Sequence, residues 1–398
     1  MELDKRLSEA AFRMRRSIIR EMLKLTKSPN IISFSPGLPD PALFPTRQLS
    51  EVVRIVLEQD GQVALQYSPT EGVDKLKDAL VEHLEKDGVN VSHEELLIIT
   101  ASQQGLDLMT KIFVNPGDHV VCELPTYLGG LSAFHAYGAQ VTGVPLDEEG
   151  MRIDILKQKL DRLPAMPKFI YVIPDFQNPE GVTMSHRRRK ELLEIAADRD
   201  LLILEDSPYR NLRYEGKNIP SLQSMDHSGR VITIYTFSKI LSPGMRLGWA
   251  VATPEIISRL VTAKQATDAC TPAFTQYIVA EFYRRNLLYK FIEELQHAYK
   301  EKMKVTLRAL DDFMPDSVRW TKPEGGLFLW ITLPQGIDTS SMLKDAIREE
   351  SVAYTPGKVF FADGGGQNTM RLNFSYPSIS QIREGIERLA RIIKRALV

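Results

Sequence analysis

Short apolar runs alternate with stretches of helical period through the middle of the chain. Residues 96–100, 120–124, 169–173, 201–204 and 231–235 are nearly continuous apolar runs of strand length, bounded by polar or turn-forming residues. A strand that shows no polar alternation is one covered on both faces. Between these runs, residues 102–113 bring Leu106, Met109, Ile112 and Phe113 to one side of a helix. Residues 185–197 do the same with Leu192, Leu193 and Ile195, after Ser185 as an N-cap. Residues 246–252 read as a further extended segment. Strands alternating with amphipathic helices predict an α/β fold with a mostly parallel central sheet.

The pattern changes after Pro272. Long charged helical stretches dominate residues 277–313. Extended segments follow at 318–321, 327–333, 352–354 and 370–374, with a helix near 340–349 and a last one from Ser378. Gly325-Gly326 and Gly364-Gly365-Gly366 mark turns. This half reads as a smaller α+β domain. At the other end, residues 17–25 have the period of an amphipathic helix. The segment Pro36-Gly37-Leu38-Pro39-Asp40-Pro41 is too rich in proline for a helix or a central strand, and is expected to be rigid and irregular. The expected division is an N-terminal segment 1–45 whose mobile helix packs with the small domain, a large domain 46–285, and a small domain 286–398.

Composition supports this and narrows the function. The chain has 398 residues, 43% of them hydrophobic, ample for a large core and more than one compact domain usually holds. Fifty basic and 51 acidic residues leave a net charge of −1, which gives no field for gripping nucleic acid or an anionic membrane. Arg187-Arg188-Arg189-Lys190 is the dense basic cluster, and it reads as the solvated side of the 185–197 helix. Cys122 and Cys270 stand far apart among apolar residues, without metal-ligand or disulfide spacing, and are expected to be buried thiols. The charged start, with no signal-like apolar core and no membrane-spanning run, is what a cytoplasmic protein would show.

In a parallel α/β sheet, ligands collect beyond the carboxyl ends of the strands. Here the apolar runs end in Ala101-Ser102-Gln103-Gln104, near Gln177-Asn178-Pro179-Glu180-Gly181, in Glu205-Asp206-Ser207-Pro208-Tyr209, and in Thr236-Phe237-Ser238-Lys239. One edge should therefore gather a lysine, an aspartate, an asparagine, a tyrosine, hydroxyls and a helix N-terminus. That set suits pyridoxal 5′-phosphate. Its aldehyde takes a lysine as a Schiff base, and its ring nitrogen needs a carboxylate to stay protonated and accept electrons. Its phosphate suits a helix N-terminus, hydroxyls and an arginine.

The stretch Thr236-Phe237-Ser238-Lys239-Ile240-Leu241-Ser242-Pro243-Gly244-Met245-Arg246-Leu247-Gly248 resembles the signature of fold-type-I aminotransferases, Ser-x-Ser-Lys followed by Pro-Gly-x-Arg-x-Gly. The aromatic, kynurenine and 2-aminoadipate branch is the most similar. Ser17-Ile18-Ile19-Arg20-Glu21-Met22, Gln66-Tyr67-Ser68-Pro69, Ser102-Gln103-Gln104, Phe176-Gln177-Asn178-Pro179 and Pro356-Gly357 match it in chain order. The strength of the resemblance lies in that order. It departs in having Glu180 where the branch has threonine and Ser207 where a second acid is common.

The resemblance implies a ping-pong transaminase. It would move an amino group between 2-oxoglutarate and an aromatic, 2-aminoadipate, kynurenine or branched-chain L-amino acid. Lys239 would hold the cofactor and then shuttle the substrate α-proton. Asp206 would pair with the pyridine nitrogen, Asn178 and Tyr209 with the ring hydroxyl, and Tyr127 would stack on the ring. Ser102, Gln103, Thr236, Ser238 and Arg246 would hold the phosphate, joined by Tyr67 from the neighbouring subunit of a homodimer. Arg371, with Gly37 and Asn178, would hold the substrate α-carboxylate, since a planar fork suits it. Arg20 on a mobile helix would meet acidic substrate side chains, with Leu38 as an apolar wall for the others.

Each residue also has an ordinary alternative. Asp206 and Asn178 precede or neighbour prolines in turn-forming sequences, Ser102 is a fitting N-cap, and Arg20 suits a solvated helix face. A carbon–sulfur lyase on the same fold would keep every cofactor residue. A transcription regulator with an aminotransferase-like domain would need a DNA-binding module ahead of Pro36, where only a short segment stands. A dinucleotide-binding enzyme would need Gly-x-Gly-x-x-Gly between a strand and a helix, which the sequence lacks.

Overall fold

The computed structural model describes residues 3–14 and 30–397. Strands are numbered along the chain: β1 is Ile32–Ser33, β2 Leu96–Ile99, β3 His119–Leu124, β4 Gln140–Asp147, β5 Gly150–Met151, β6 Phe169–Val172 and β7 Leu202–Asp206. They continue with β8 Val231–Thr236, β9 Gly248–Val251, β10 Arg319–Trp320, β11 Phe328–Thr332, β12 Val352–Ala353, β13 Thr355–Pro356 and β14 Thr369–Asn373. One sheet has the order β2-β9-β8-β7-β6-β3-β4-β5. Its central neighbours, from β4 through β3, β6 and β7 to β8, pair in parallel. β9 runs antiparallel between β8 and β2, and β5 antiparallel to β4. The fold is α/β with a mostly parallel central sheet.

Successive side chains of a strand face opposite ways, so a strand covered on both sides is apolar throughout. Val120, Cys122, Tyr171, Leu204 and Ile232 join one core with Leu106 and Met109 of the Ala101–Phe113 helix. Val121, Ile170, Val172, Ile203 and Val231 join a second core with Leu156, Leu192 and Ile195 of the Ile153–Leu160 and His186–Asp198 helices. Each such side chain taken out of water contributes roughly 1.5–3 kcal/mol before entropy is counted.

The second sheet is antiparallel throughout, in the order β10-β11-β14-β13. The Leu287–Phe313 and Ile379–Ala396 helices pack on each other, and the latter, capped by Ser378, also packs on β1 and β12. The Pro36–Pro41 stretch is irregular up to Asp40, as its prolines require. It is nevertheless tied down at several points. β1 pairs in parallel with β12, the Phe34 carbonyl accepts from the Asn373 N–H at 2.8 Å, and Lys302 Nζ bonds Asp40 Oδ2 at 2.6 Å.

Most element ends fall within one or two residues of the periodicity, but three expectations change. Residues 246–252 are extended only over Gly248–Val251, because Pro243–Met245 forms a turn of 3-10 helix and Arg246 takes a left-handed conformation. Cys122 is buried as expected, whereas Cys270 is half-buried. Only half of the basic cluster, Arg187 and Lys190, is a solvated face. Arg187 is exposed, but Arg188 binds Asp147 at 2.7 Å and Arg189, with no exposed surface, binds Asp175 at 2.7 Å. The reason is non-local. Carboxylates from distant segments meet these two guanidinium groups, and a paired charge can be buried where an unpaired one cannot.

Candidate active site at the carboxyl edge of the sheet

A cavity of about 230 Å³ opens at the carboxyl ends of β2, β6, β7 and β8, where the second sheet and the Pro36–Leu38 segment come against the first. Of the residues proposed from the sequence, Gly37, Ser102, Gln103, Tyr127, Asn178, Asp206, Tyr209, Thr236, Ser238, Lys239, Arg246 and Arg371 all line it. Tyr67 does not. It stands 85% exposed on the surface beyond the Thr46–Ala64 helix. Arg20 lies outside the described residues.

Lys239 follows the end of β8, which fixes its position, and its Nζ donates to the Gly37 carbonyl at 2.7 Å. Burial, with Arg371 and Arg246 nearby, pulls its pKa down to about 8 against the attraction of Asp206. Asp206 is the last residue of β7. Its Oδ2 accepts from the Tyr171 hydroxyl at 2.8 Å, while its Oδ1 is buried without a partner. Burial drives this carboxyl up to about 7, although the Tyr171 hydrogen bond and the Lys239 charge both favour the anion.

Arg371 comes from β14, across the cavity. Its Nη1 donates to Asn178 Oδ1 at 2.8 Å and its Nη2 to the Ser35 carbonyl at 2.9 Å, and its buried Nε has no partner. The guanidinium lies over the rings of Phe328 at 4.2 Å and Phe360 at 4.9 Å. Burial lowers its pKa to about 10, so it stays charged at neutral pH. Asn178 Nδ2 reaches the Tyr209 hydroxyl at 3.4 Å.

The remaining groups form a polar cup. Ser102 and Gln103 open the Ala101–Phe113 helix, whose first backbone N–H groups have no partner within the helix. Gln103 Nε2 is fixed on the Gly129 carbonyl at 3.0 Å. A β-carbon at Gly129 would lie 2.3 Å from the Tyr127 ring and 2.4 Å from Gln103 Oε1, so a larger residue there would have to displace both side chains. Thr236 Oγ1 lies 2.9 Å from Ser238 Oγ and accepts from the Ser238 N–H at 3.1 Å.

These residues suit a phosphorylated pyridine aldehyde on internal grounds. A helix N-terminus, the three hydroxyls of Ser102, Thr236 and Ser238, and an arginine make an anion cup. Asp206 Oδ1 and Arg371 Nε are buried polar atoms left without partners, and such atoms call for a ligand. The amine of Lys239 lines the same cavity.

The sequence reading missed several supports. Tyr171 holds Asp206, and the rings of Phe328 and Phe360 both lie against Arg371. Glu123 receives the Ile173 N–H and Gln177 Nε2, both at 3.1 Å, and so anchors the turn that carries Asn178. Tyr171 had a visible signal. It is the one hydroxyl in the run Phe169–Val172, and a buried hydroxyl needs a partner.

Residues 37–389 match the family described as aminotransferase class I and II. The aromatic-amino-acid aminotransferase 1 of Thermococcus litoralis is 46% identical, over 100% of this chain and 96% of its own length. A crystal structure of Pyrococcus horikoshii kynurenine aminotransferase, in complex with PMP, KYN as substrates and KYA as products, is 45% identical with a TM-score of 0.96. That likeness covers 100% of this chain and 99% of the other. The α-aminoadipate aminotransferase of Thermus thermophilus, complexed with N-(5′-phosphopyridoxyl)-L-leucine, is 40% identical with a TM-score of 0.93, over 100% and 99% of the two chains.

The surroundings of Lys239 set a pH prediction. A lowered lysine pKa means that the neutral, reactive amine gains ground as pH rises through about 8, not through the ordinary 10.5. Acylation of the cofactor-free protein, mapped peptide by peptide, should show Lys239 half-reactive near pH 8 and exposed lysines well above it. A Lys239 profile centred near that of the surface lysines would contradict the burial argument.

Proposed function

We propose, given that this chain belongs to the class I and II aminotransferases and is a pyridoxal 5′-phosphate-dependent transaminase, that its amino-group transfer takes place at Lys239 in the cavity described. The observation that carries this reading is the convergence of a buried amine, a buried carboxyl with one free oxygen and a buried arginine with a free Nε. When bound, the cofactor supplies a ring that withdraws the electron pair left as the substrate α-carbon loses its proton.

The chain's own residues do the rest. Lys239 holds the cofactor aldehyde and, once free, its Nζ takes the proton from the substrate α-carbon and returns it. A pKa near 8 leaves part of this amine neutral at physiological pH, as a base requires. Asp206 would hold the ring nitrogen through Oδ1, while Tyr171 keeps the other oxygen occupied. Tyr127 would lie against the ring, and Asn178 and Tyr209 would hold its hydroxyl. Ser102, Gln103, Thr236, Ser238 and Arg246 hold the phosphate. Arg371 holds the substrate α-carboxylate, its plane fixed by Phe328 and Phe360 and aided by Gly37 and Asn178.

For substrates, the reading is exchange between glutamate and 2-oxoglutarate on one side and an aromatic, kynurenine, 2-aminoadipate or branched-chain amino acid on the other. Leu38, Ile173 and Phe328 give the cavity apolar walls. The substrates named for the similar enzymes of Thermococcus, Pyrococcus and Thermus support the same range. Mixing the loaded protein with one amino acid at a time tests this. Kynurenine, phenylalanine, leucine, 2-aminoadipate and glutamate should each convert bound cofactor to its amine form and release the matching 2-oxo acid. Release of ammonia or thiol without that conversion would mean a lyase.

The protein is further proposed to act as a homodimer with shared sites. Tyr67, Leu65 and Val63 are 85%, 70% and 53% exposed, and large apolar side chains left open so near one another in the chain suit a partner. The neighbouring Ser68 is held by Gln276 Nε2 at 3.4 Å, which sets the direction of the segment. In a two-fold dimer, a Tyr67→Ala subunit paired with a Lys239→Ala subunit rebuilds one of two sites. After subunit exchange the mixture should transaminate faster than the two variants assayed apart. No gain on mixing, or full activity in a monomer, would rule this out.

A further inference from the structure

The helix that opens with Ser102 and Gln103 begins in an unusual way. Ala101, its first residue, has φ of 60°, a left-handed conformation that a residue with a β-carbon keeps only where its surroundings hold it. Thr100 stands at the N-cap but makes no side-chain cap bond to the helix. Its Oγ1 turns outward instead, donating to Asp268 Oδ2 at 3.0 Å. The Thr100 N–H donates to Gln104 Oε1 at 2.8 Å. Gln104 gives its Nε2 to Asp268 Oδ2 at 2.7 Å. Lys264, on the last turn of the Pro254–Gln265 helix, closes the ring. Its Nζ donates to Gln104 Oε1 at 3.0 Å and to Asp268 Oδ1 at 2.7 Å and Oδ2 at 2.9 Å.

Lys264 has no exposed side-chain surface, and neither it nor Asp268 nor Gln104 lines the cavity. Burying an ammonium does little for stability, since an apolar side chain of the same size would fill the space as well. What such a pair does provide is a fixed geometry. Here it fixes the residues on either side of Ala101, Ser102 and Gln103.

We propose that Lys264 and Asp268 are positioning residues for the cofactor phosphate. They hold the turn from Thr100 to Gln104 in the shape that aims Ser102, Gln103 and the free N–H groups of the helix start at the phosphate. This rests on the phosphate role given above to Ser102, Gln103 and Arg246. It follows that loss of the pair weakens binding of a phosphorylated ligand and leaves recognition of the pyridine ring alone.

The test compares two ligands on the cofactor-free protein, pyridoxal 5′-phosphate and pyridoxal, by absorbance titration. Lys264→Met should raise Kd for the phosphorylated ligand by about tenfold or more, the size of losing charge-assisted contacts. Kd for pyridoxal should stay nearly constant, and Lys264→Arg should recover part of the loss. Asp268→Asn makes the same test in a milder form, should Lys264→Met fail to fold by circular dichroism. An equal loss for both ligands, or an unchanged ratio of the two constants, overturns the proposal. Arg246→Ala separates this from the underlying reading. If it collapses the ratio while Lys264→Met and Asp268→Asn do not, the phosphate cup stands and the positioning role falls. If Arg246→Ala leaves the ratio intact, the cup itself is misplaced and both fall together.

Discussion

A carboxylate taken out of water keeps its charge only if something inside the protein replaces the water. Asp206, at the end of a strand in the middle of the sheet, has one hydrogen-bonding neighbour, the Tyr171 hydroxyl, and one oxygen with none. Its pKa rises to about 7 as a result. A cationic ring nitrogen at that oxygen would restore the balance. The cofactor and the aspartate would then hold each other charged. Much of the site makes physical sense around that exchange. The Lys239 amine is kept partly neutral by burial and by Arg371 and Arg246, and Arg371 is held by two hydrogen bonds and two aromatic rings with its Nε left without a partner.

The fold makes this possible by dividing the work. The strands β2, β6, β7 and β8 end at the same edge, so polar residues at or shortly beyond each apolar run converge there. The second sheet contributes the arginine. The irregular segment between them is held by the parallel pairing of Ile32–Ser33 with β12, and to the second sheet by the Asn373 N–H on the Phe34 carbonyl and the bond from Arg371 to the Ser35 carbonyl. The cavity is therefore bounded by two sheets and a strap, and a movement of the strap would be felt directly at Arg371 and, through the Gly37 carbonyl, at Lys239. Transamination needs one pocket to take two different partners in turn, and apolar walls beside one fixed arginine are a way to do that.

Much of the site was legible because its logic is local. An apolar run followed by Asp206, or by Thr236-Phe237-Ser238-Lys239, announces a strand and what stands at its end. The order of short motifs then pointed to one family. What the sequence did not disclose depends on contacts between distant segments. The burial of Arg188 and Arg189 needs Asp147 and Asp175 to be known as neighbours. The pairing of Asp206 with Tyr171 crosses strands, and Glu123 supports Asn178 from another strand still. Arg246 read as part of a strand, yet its left-handed backbone ends the turn before it. Tyr67, expected at the phosphate, does not line the cavity of the single chain.

The central claim is that Lys239, and no other lysine, holds the cofactor. Borohydride reduction of the loaded protein fixes a bound pyridoxal group permanently to the amine that carries it. Digestion and mass spectrometry should place that group on the peptide containing Lys239, in a stoichiometry close to one per chain. Recovery of the group on a different lysine, or its complete loss from the protein after reduction, would contradict the claim.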